Sequence, residues 1–326
     1  MKNMLVFILP FLLGITSNES NELANLMHSQ MEQGKRVIAI GETHQHKSFH
    51  LLLEKTLKTK QTQEDIDIII VEFGNSFYQE ELDRYINGEN ISIDTIRKVW
   101  RNTAISPNTV WDSPVYERFF KTIREINKSL LPKEKYRVVA GGKSIDWTII
   151  KTTEDYEPYK TSGSKHIYEI VKKEVFVKNK KALLIAGGFH LSKVSTGFSR
   201  NGRVFRDETI GSLLELNYPG STFFINSYSK LASLGITEIK NRKIGSLILT
   251  SEIWLRDIEA NKASIPAYGN SKLKDIADAV FYWGSKEHWV YERPLKAIYQ
   301  DQVYWEELNR RSLIRRNKKM DESLRN

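Results

Sequence analysis

The 326-residue chain has no cysteine. A disulfide framework, a thiolate nucleophile, a Cys-based zinc site and a lipoprotein anchor are therefore closed to it, and any metal chemistry has to use His, Asp and Glu. It also lacks an apolar run of about twenty residues beyond its N-terminus, which excludes a polytopic membrane protein. No Gly-x-Ser-x-Gly elbow occurs, so the usual serine-hydrolase signature is missing. An excess of one charge is present but thin: 49 Lys and Arg against 40 Asp and Glu give +9, and the basic residues cluster only over 310–319. No nucleic-acid partner is expected from so diffuse a distribution. What the chain does have is 40% apolar and 11% aromatic residues, the makings of a globular α/β protein with a sizeable core.

The first three residues carry one lysine, 4–15 are apolar and 16–18 are small and polar. That order predicts a secretory signal over 1–20, cut after Ser17 or Ser20, and export to the periplasm or beyond in a bacterial envelope, with no membrane span in the mature chain. Residues 21–300 read as a single α/β domain and 301–326 as a polar helix running into a basic, solvated tail.

Six short apolar, β-branched runs are candidate strands: 36–41 (RVIAIG), 67–72 (DIIIVE), 136–141 (YRVVAG), 182–187 (ALLIAG), 222–226 (TFFIN) and 279–283 (AVFYW). Continuous apolarity of this kind belongs to strands covered on both faces. Helical patterns over 22–33, 46–57, 79–85, 93–101, 116–130, 167–178 and 208–216 separate them. The alternation predicts crossover connections and a central, mainly parallel sheet flanked by helices. A helical insertion, or cap, at about 76–132 fills the long gap between the second and third strands. Segments 152–164 and 195–206 read as mobile loops.

Ligands of open parallel sheets bind beyond the carboxyl ends of the strands, and the chemistry-bearing residues gather there. The first strand leaves into Glu42, Thr43 and His44, the second ends at Glu72, and the fourth leaves into Gly187, Gly188, Phe189 and His190. His44 and His190 each close a Gly-x-x-His. A carboxylate inside an apolar strand, as at Glu72, is costly unless paired; a neighbouring His or an Arg would supply the partner. His46 and His50 share one helical face by their i, i+4 spacing, but Lys47 stands where the zincin pattern needs Glu, so a surface or supporting role is the better reading. Read from the residues, a His oriented by an ionised Glu suits a general base acting on water, and two His with two Glu would equally offer a divalent metal an open site.

The segments IGETHQHKSFH, IIIVEFGN and LLIAGGFHL resemble the superfamily of erythromycin esterases, ChaN and Tiki proteins. VWRNT (99–103), SPVYERFF (113–120), RVVAGGKSIDW (137–147), PGSTFFIN and DAVFYWG are similar to its erythromycin-esterase-like branch, so the likeness spans roughly 37–284. It implies a hydrolase of an ester or amide that uses water activated by His and Glu, with Glu42, His44, Glu72 and His190 as catalytic residues or, in Tiki-like members, as divalent-metal ligands. It implies Arg101, Trp100, Asp146 and Asp278 as supporting groups at the substrate. ChaN-like members imply the alternative of a haem- or iron-binding protein without catalytic activity, for which Trp100, Trp111, Trp147, Tyr156 and Tyr159 are candidate aromatic walls. Two departures bear on the substrate. Gly142 and Lys143 stand where that branch carries Asp-Pro, and Glu42 and His44 are one residue closer together than in true macrolide esterases.

Overall fold

The computed structural model describes residues 17–200, 203–263 and 268–325. The apolar run of the expected signal lies outside these residues. A helix over Ser17–Glu32 begins where cleavage is expected, and it buries Leu23, Ala24, Met27 and Met31.

Seven strands form the main sheet: β1 (Val37–Glu42), β2 (Ile68–Asn75), β3 (Arg137–Gly142), β4 (Ala182–Gly187), β7 (Thr222–Ser227), β8 (Ser246–Leu249) and β9 (Ala279–Tyr282), with β5 (Thr196–Arg200) and β6 (Arg203–Asp207) paired separately. The spatial order is β3-β2-β4-β1-β7-β9-β8. Every pairing in it is parallel except β8 with β9. All six expected strands are present. β8 escaped detection because it is a short edge strand that is only partly covered.

Side chains alternate across the sheet, as a pleated strand requires. Ile38, Ile40, Ile69, Val71, Leu183 and Ile185 face one core, shared with Phe73, Trp100, Tyr116, Phe119 and Phe120. Val37, Ala39, Ile68, Ile70, Leu184 and Ala186 face the other, against Ile167, Val171, Leu213 and Leu214. Between β2 and β3 the helices Gln79–Ile86, Ile93–Arg101 and Pro114–Ser129 cover the first face. Ser92 and Ser113 cap the latter two, and Pro114 opens the third, the position where its missing N–H costs nothing.

Three expectations change. Segment 152–164 contains the short helix Thr153–Tyr156, opened by a capping box of Thr152 and Asp155, and a 3₁₀ turn Glu157–Tyr159. Segment 195–206 forms the β5–β6 antiparallel ribbon. The basic C-terminal segment is solvated only in part: residues 316–319 are exposed, but in the helix Gln302–Arg316, Arg310 donates to the carbonyl of Trp147, Arg311 to Asn102 and Ser106, and Arg315 to the Tyr156 hydroxyl. Arg311 lies over the Trp147 ring and is 4% exposed. These arginines bind what a charged residue seeks, backbone and side-chain oxygen, rather than water.

Candidate active site

Strand order brings the site together. β4 lies between β2 and β1, and Glu42 is in register with Gly187, so Glu42 and Glu72 leave the sheet on either side of Gly187. At Gly187 the chain carries no side chain, and the space is used. A Cβ there would stand 3.2 Å from Cε1 of His44, 3.3 Å from Oε2 of Glu72 and 3.4 Å from Cδ2 of His190. Three of the four expected residues therefore converge on the volume of one missing methyl group.

Glu42 lies behind this point. Its Oε2 faces Nδ1 of His44 at 3.0 Å, and its Oε1 accepts from the Tyr116 hydroxyl and meets Nε2 of His50, both at 2.8 Å. Burial alone would push the carboxyl up, but the charge and hydrogen bond of His44, followed by those of His50, reverse this and hold it well below the usual carboxylate range. The effect on His44 is reciprocal. Burial opposes its charge, yet the Glu42 carboxylate, and after it Glu72, raise its pKa to about 9. His44 is thus an imidazolium at neutral pH, held edge-on to Trp111 with ring centres 4.6 Å apart.

Between His44 and His46 the backbone turns through Gln45, whose φ of 66° is left-handed. Such a conformation costs about 1–3 kcal/mol in a non-glycine residue and persists only where the surroundings impose it. Here they do: the Gln45 backbone N–H donates to the Tyr116 hydroxyl, its side-chain NH₂ donates to the Val110 carbonyl, and its side-chain oxygen accepts from Arg293. The turn sends the two histidines to different places. His46 caps the helix Lys47–Leu57 and is wholly buried against Trp283, Trp289 and Tyr291, with both ring nitrogens unpartnered. Burial, with a smaller push from His50, lowers its pKa to about 3. It is a neutral core residue, while His50 supports Glu42.

On the far side of Gly187, Glu72 accepts the Gly187 N–H through Oε2 at 2.5 Å, and its Oε1 lies 3.5 Å from Nε2 of His190. Among the described residues the basic side chain facing it is this histidine, not an arginine. His190 sits in the 3₁₀ turn Gly188–Leu191, and its Nδ1 is 2.9 Å from Oγ of Ser164.

Glu72, His190 and Ser164 open into a cavity of about 130 Å³ walled by Ile105, Trp111, Tyr156, Tyr159 and Ile167, with Lys143 and His166 at its polar side. Lys143 donates to the carbonyl of Tyr159 and to both oxygens of Thr161, so it ties the 159–161 turn down as one wall. His166 presents a buried Nε2 with no partner. Burial and then Lys143 depress its pKa, against a hydrogen bond to the Gly142 backbone.

The four expected substrate contacts lie elsewhere. Trp100 is core, stacked on Phe120 with ring centres 5.2 Å apart. Arg101 turns to Asp112 at 3.4 Å and Tyr304, beside a separate cavity of about 620 Å³. Asp146 accepts from the Thr148 amide and hydroxyl, an Asx turn. Asp278, just before β9, takes Lys193 and the Phe224 amide. Asp146 is spent on its own turn, and Asp278 on a lysine and a neighbouring strand's amide. Of the five candidate aromatic walls, Trp111, Tyr156 and Tyr159 line the cavity, and Trp147 stacks behind Tyr156.

Among the described residues no group of three His, Asp or Glu side chains is arranged to hold a metal ion. Glu42 is engaged by His44, His50 and Tyr116, and Glu72 by the Gly187 N–H and His190. The cavity is well below the roughly 300–1,000 Å³ of sites for drug-sized ligands, so a haem would require its walls to part.

Ser164 and His166 carried no signal in the sequence, and Tyr116 lies in the SPVYERFF segment without a role assigned to it; each reaches the site from a helix remote in the chain.

No family model and no curated protein matches the chain. Solved structures do. An erythromycin esterase mutant, EreC, in its open conformation superimposes with a TM-score of 0.52 at 13% identity, covering 82% of this chain and 93% of that one. A succinoglycan biosynthesis protein gives 0.53 at 10% identity, over 81% and 90%. At such identities it is the architecture that is shared: the chain has an erythromycin-esterase-like α/β fold.

Proposed function

We propose that the protein hydrolyses an ester or amide bond in a small molecule, through water activated by His190 and Glu72. The observation that carries this reading is the convergence of His44, Glu72 and His190 over Gly187. Glu72 favours a proton on the His190 nitrogen facing it, which leaves the other ring nitrogen basic. His44 acts in the opposite sense. As an imidazolium fixed by Glu42 it faces the developing oxyanion, where a preset charge stabilises the transition state. The similarity to an erythromycin esterase structure and the Gly-x-x-His pair support the same reaction class. No helix among the described residues is long and apolar enough to cross a membrane, and the apolar N-terminus favours export.

A panel of p-nitrophenyl esters assayed with wild type, Glu72→Gln and His190→Gln tests the reading. Both variants should lose about 10²–10⁴ in rate while keeping the wild-type melting temperature to within a few degrees. Equal rates in all three proteins, or no hydrolysis by any, would count against it.

A further inference from the structure

We infer that Ser164 is the attacking nucleophile, that the reaction passes through an acyl-enzyme on its Oγ, and that water enters only in the second half. The inference rests on the hydrolase reading above and adds a residue and an intermediate to it.

Its basis is the direction of the His190 ring. Glu72 lies 3.5 Å from Nε2, its second oxygen pinned by the Gly187 N–H, and a carboxylate on that side favours the tautomer protonated on Nε2. Nδ1 then carries the lone pair, and that lone pair is aimed at the Ser164 hydroxyl from 2.9 Å. Carboxylate, imidazole and hydroxyl stand in the order that an activated nucleophile needs, with the nucleophile–base distance inside the range of about 2.6–3.2 Å. A water activated directly by His190 would have to displace this hydroxyl first.

The ordinary alternative for a serine in the first turn of a helix is capping. Here Ser162 performs it, accepting from the Lys165 amide, and Ser164 is left to His190. Ser164 is the second residue of the nine-residue helix Gly163–Val171, where the unpaired amides of the first turn favour negative charge on a nearby oxygen. The cavity supplies an independent sign of a ligand: His166, two residues on, lines it with a buried ring nitrogen that has no partner. Buried polar atoms are nearly always satisfied, and a substrate oxygen or amide would satisfy this one.

The atoms balance without any co-reactant except water. Oγ of Ser164 attacks the carbonyl carbon as its proton passes to Nδ1 of His190. The oxyanion collapses, the bond to the leaving alcohol or amine breaks, and that group takes the proton from His190. Water then gives a proton to His190 and attacks the Ser164 ester; the acid leaves, and Oγ recovers its proton. The cavity volume of about 130 Å³ approaches the ~150 Å³ that holds a benzene ring, and its walls are mainly aromatic and aliphatic, which assigns short-chain acyl or aromatic esters as the substrate class.

A small alkyl fluorophosphonate tests this without knowledge of the natural substrate. Intact-mass measurement and peptide mapping should find one adduct per chain, on Ser164. The adduct should be absent in Ser164→Ala and form about 10²-fold more slowly in His190→Gln. Wild type should cleave p-nitrophenyl acetate faster than the octanoate, and Ser164→Ala should lose that activity. A second variant guards against misfolding. The chain has no cysteine, so Ser164→Cys introduces a unique thiol. Beside His190 it should alkylate with iodoacetamide through a thiolate formed below the ordinary pKa of about 8.5. Full hydrolysis by Ser164→Ala, with Glu72→Gln and His190→Gln inactive, would overturn the serine while leaving the hydrolase reading intact. Absence of both turnover and adduct in wild type would overturn both.

Discussion

The imidazolium at His44 makes a quantitative demand on stability. Its pKa is raised to about 9 from an ordinary value near 6.5, and a group raised on folding stabilises the folded state while it is protonated in both states. That contribution is complete below about pH 6.5 and is lost as pH rises through about 9. Taken at face value the shift is worth at most ~3 kcal/mol. However, the side chain of His44 is 35% exposed, and solvent screening reduces the figure to about 1–2 kcal/mol. Comparing wild type with His44→Gln isolates this contribution, since the other groups titrate in both proteins. Urea unfolding between about pH 6 and pH 10 should show wild type losing ~1–2 kcal/mol relative to the variant. The His44 ring carbons should titrate near the raised value by NMR. Parallel pH profiles for the two proteins, or a ring titrating near its ordinary value, would refute the buried Glu42–His44 ion pair and with it the oxyanion role.

Two further substitutions probe the surroundings. Gly187→Ala places a methyl group 3.2–3.4 Å from His44, Glu72 and His190; because these are side-chain ends that can give by a few tenths of an ångström, stability should change by no more than ~1 kcal/mol. Rate should fall by about tenfold or more as the three groups are spread, and an unchanged rate would show that Gly187 does not set their spacing. His46→Phe replaces a buried ring with two unpartnered nitrogens by an apolar one, and should raise unfolding free energy by about 1 kcal/mol; a fall of that size in denaturant titration would mean that the nitrogens are satisfied.

Much of the architecture was legible because it depends on strands covered on both faces, whose residues are apolar throughout. Glu72 stood out for the same reason: an acid in an apolar run must have a partner. His46 and His50 show where pattern stops. Their i, i+4 spacing reads as one face with one role, but His46 precedes the first turn of its helix and is turned away by the left-handed Gln45, so one meets Trp283 and the other Glu42. Arg101, Asp146 and Asp278 adjoin recognisable motifs along the chain, and adjacency along a chain says little about which local backbone amide or neighbouring side chain will claim a carboxylate. Ser164 was illegible for the converse reason. It lies 26 residues before His190, in a segment that reads as a loop, and reaches the site because a helix packs across the sheet.

The placing of β4 between β2 and β1 has a consequence for how the chain acquires its chemistry. Glu42, Glu72 and His190 belong to three neighbouring strands, and the middle strand is contributed last, more than a hundred residues after β2 begins. Closing such long loops is slow compared with forming helices. A refolding chain can therefore regain most of its helical signal while the slot between β1 and β2 is still vacant. Recovery of activity should lag behind it, which makes catalysis a reporter of the final strand insertion and not of collapse.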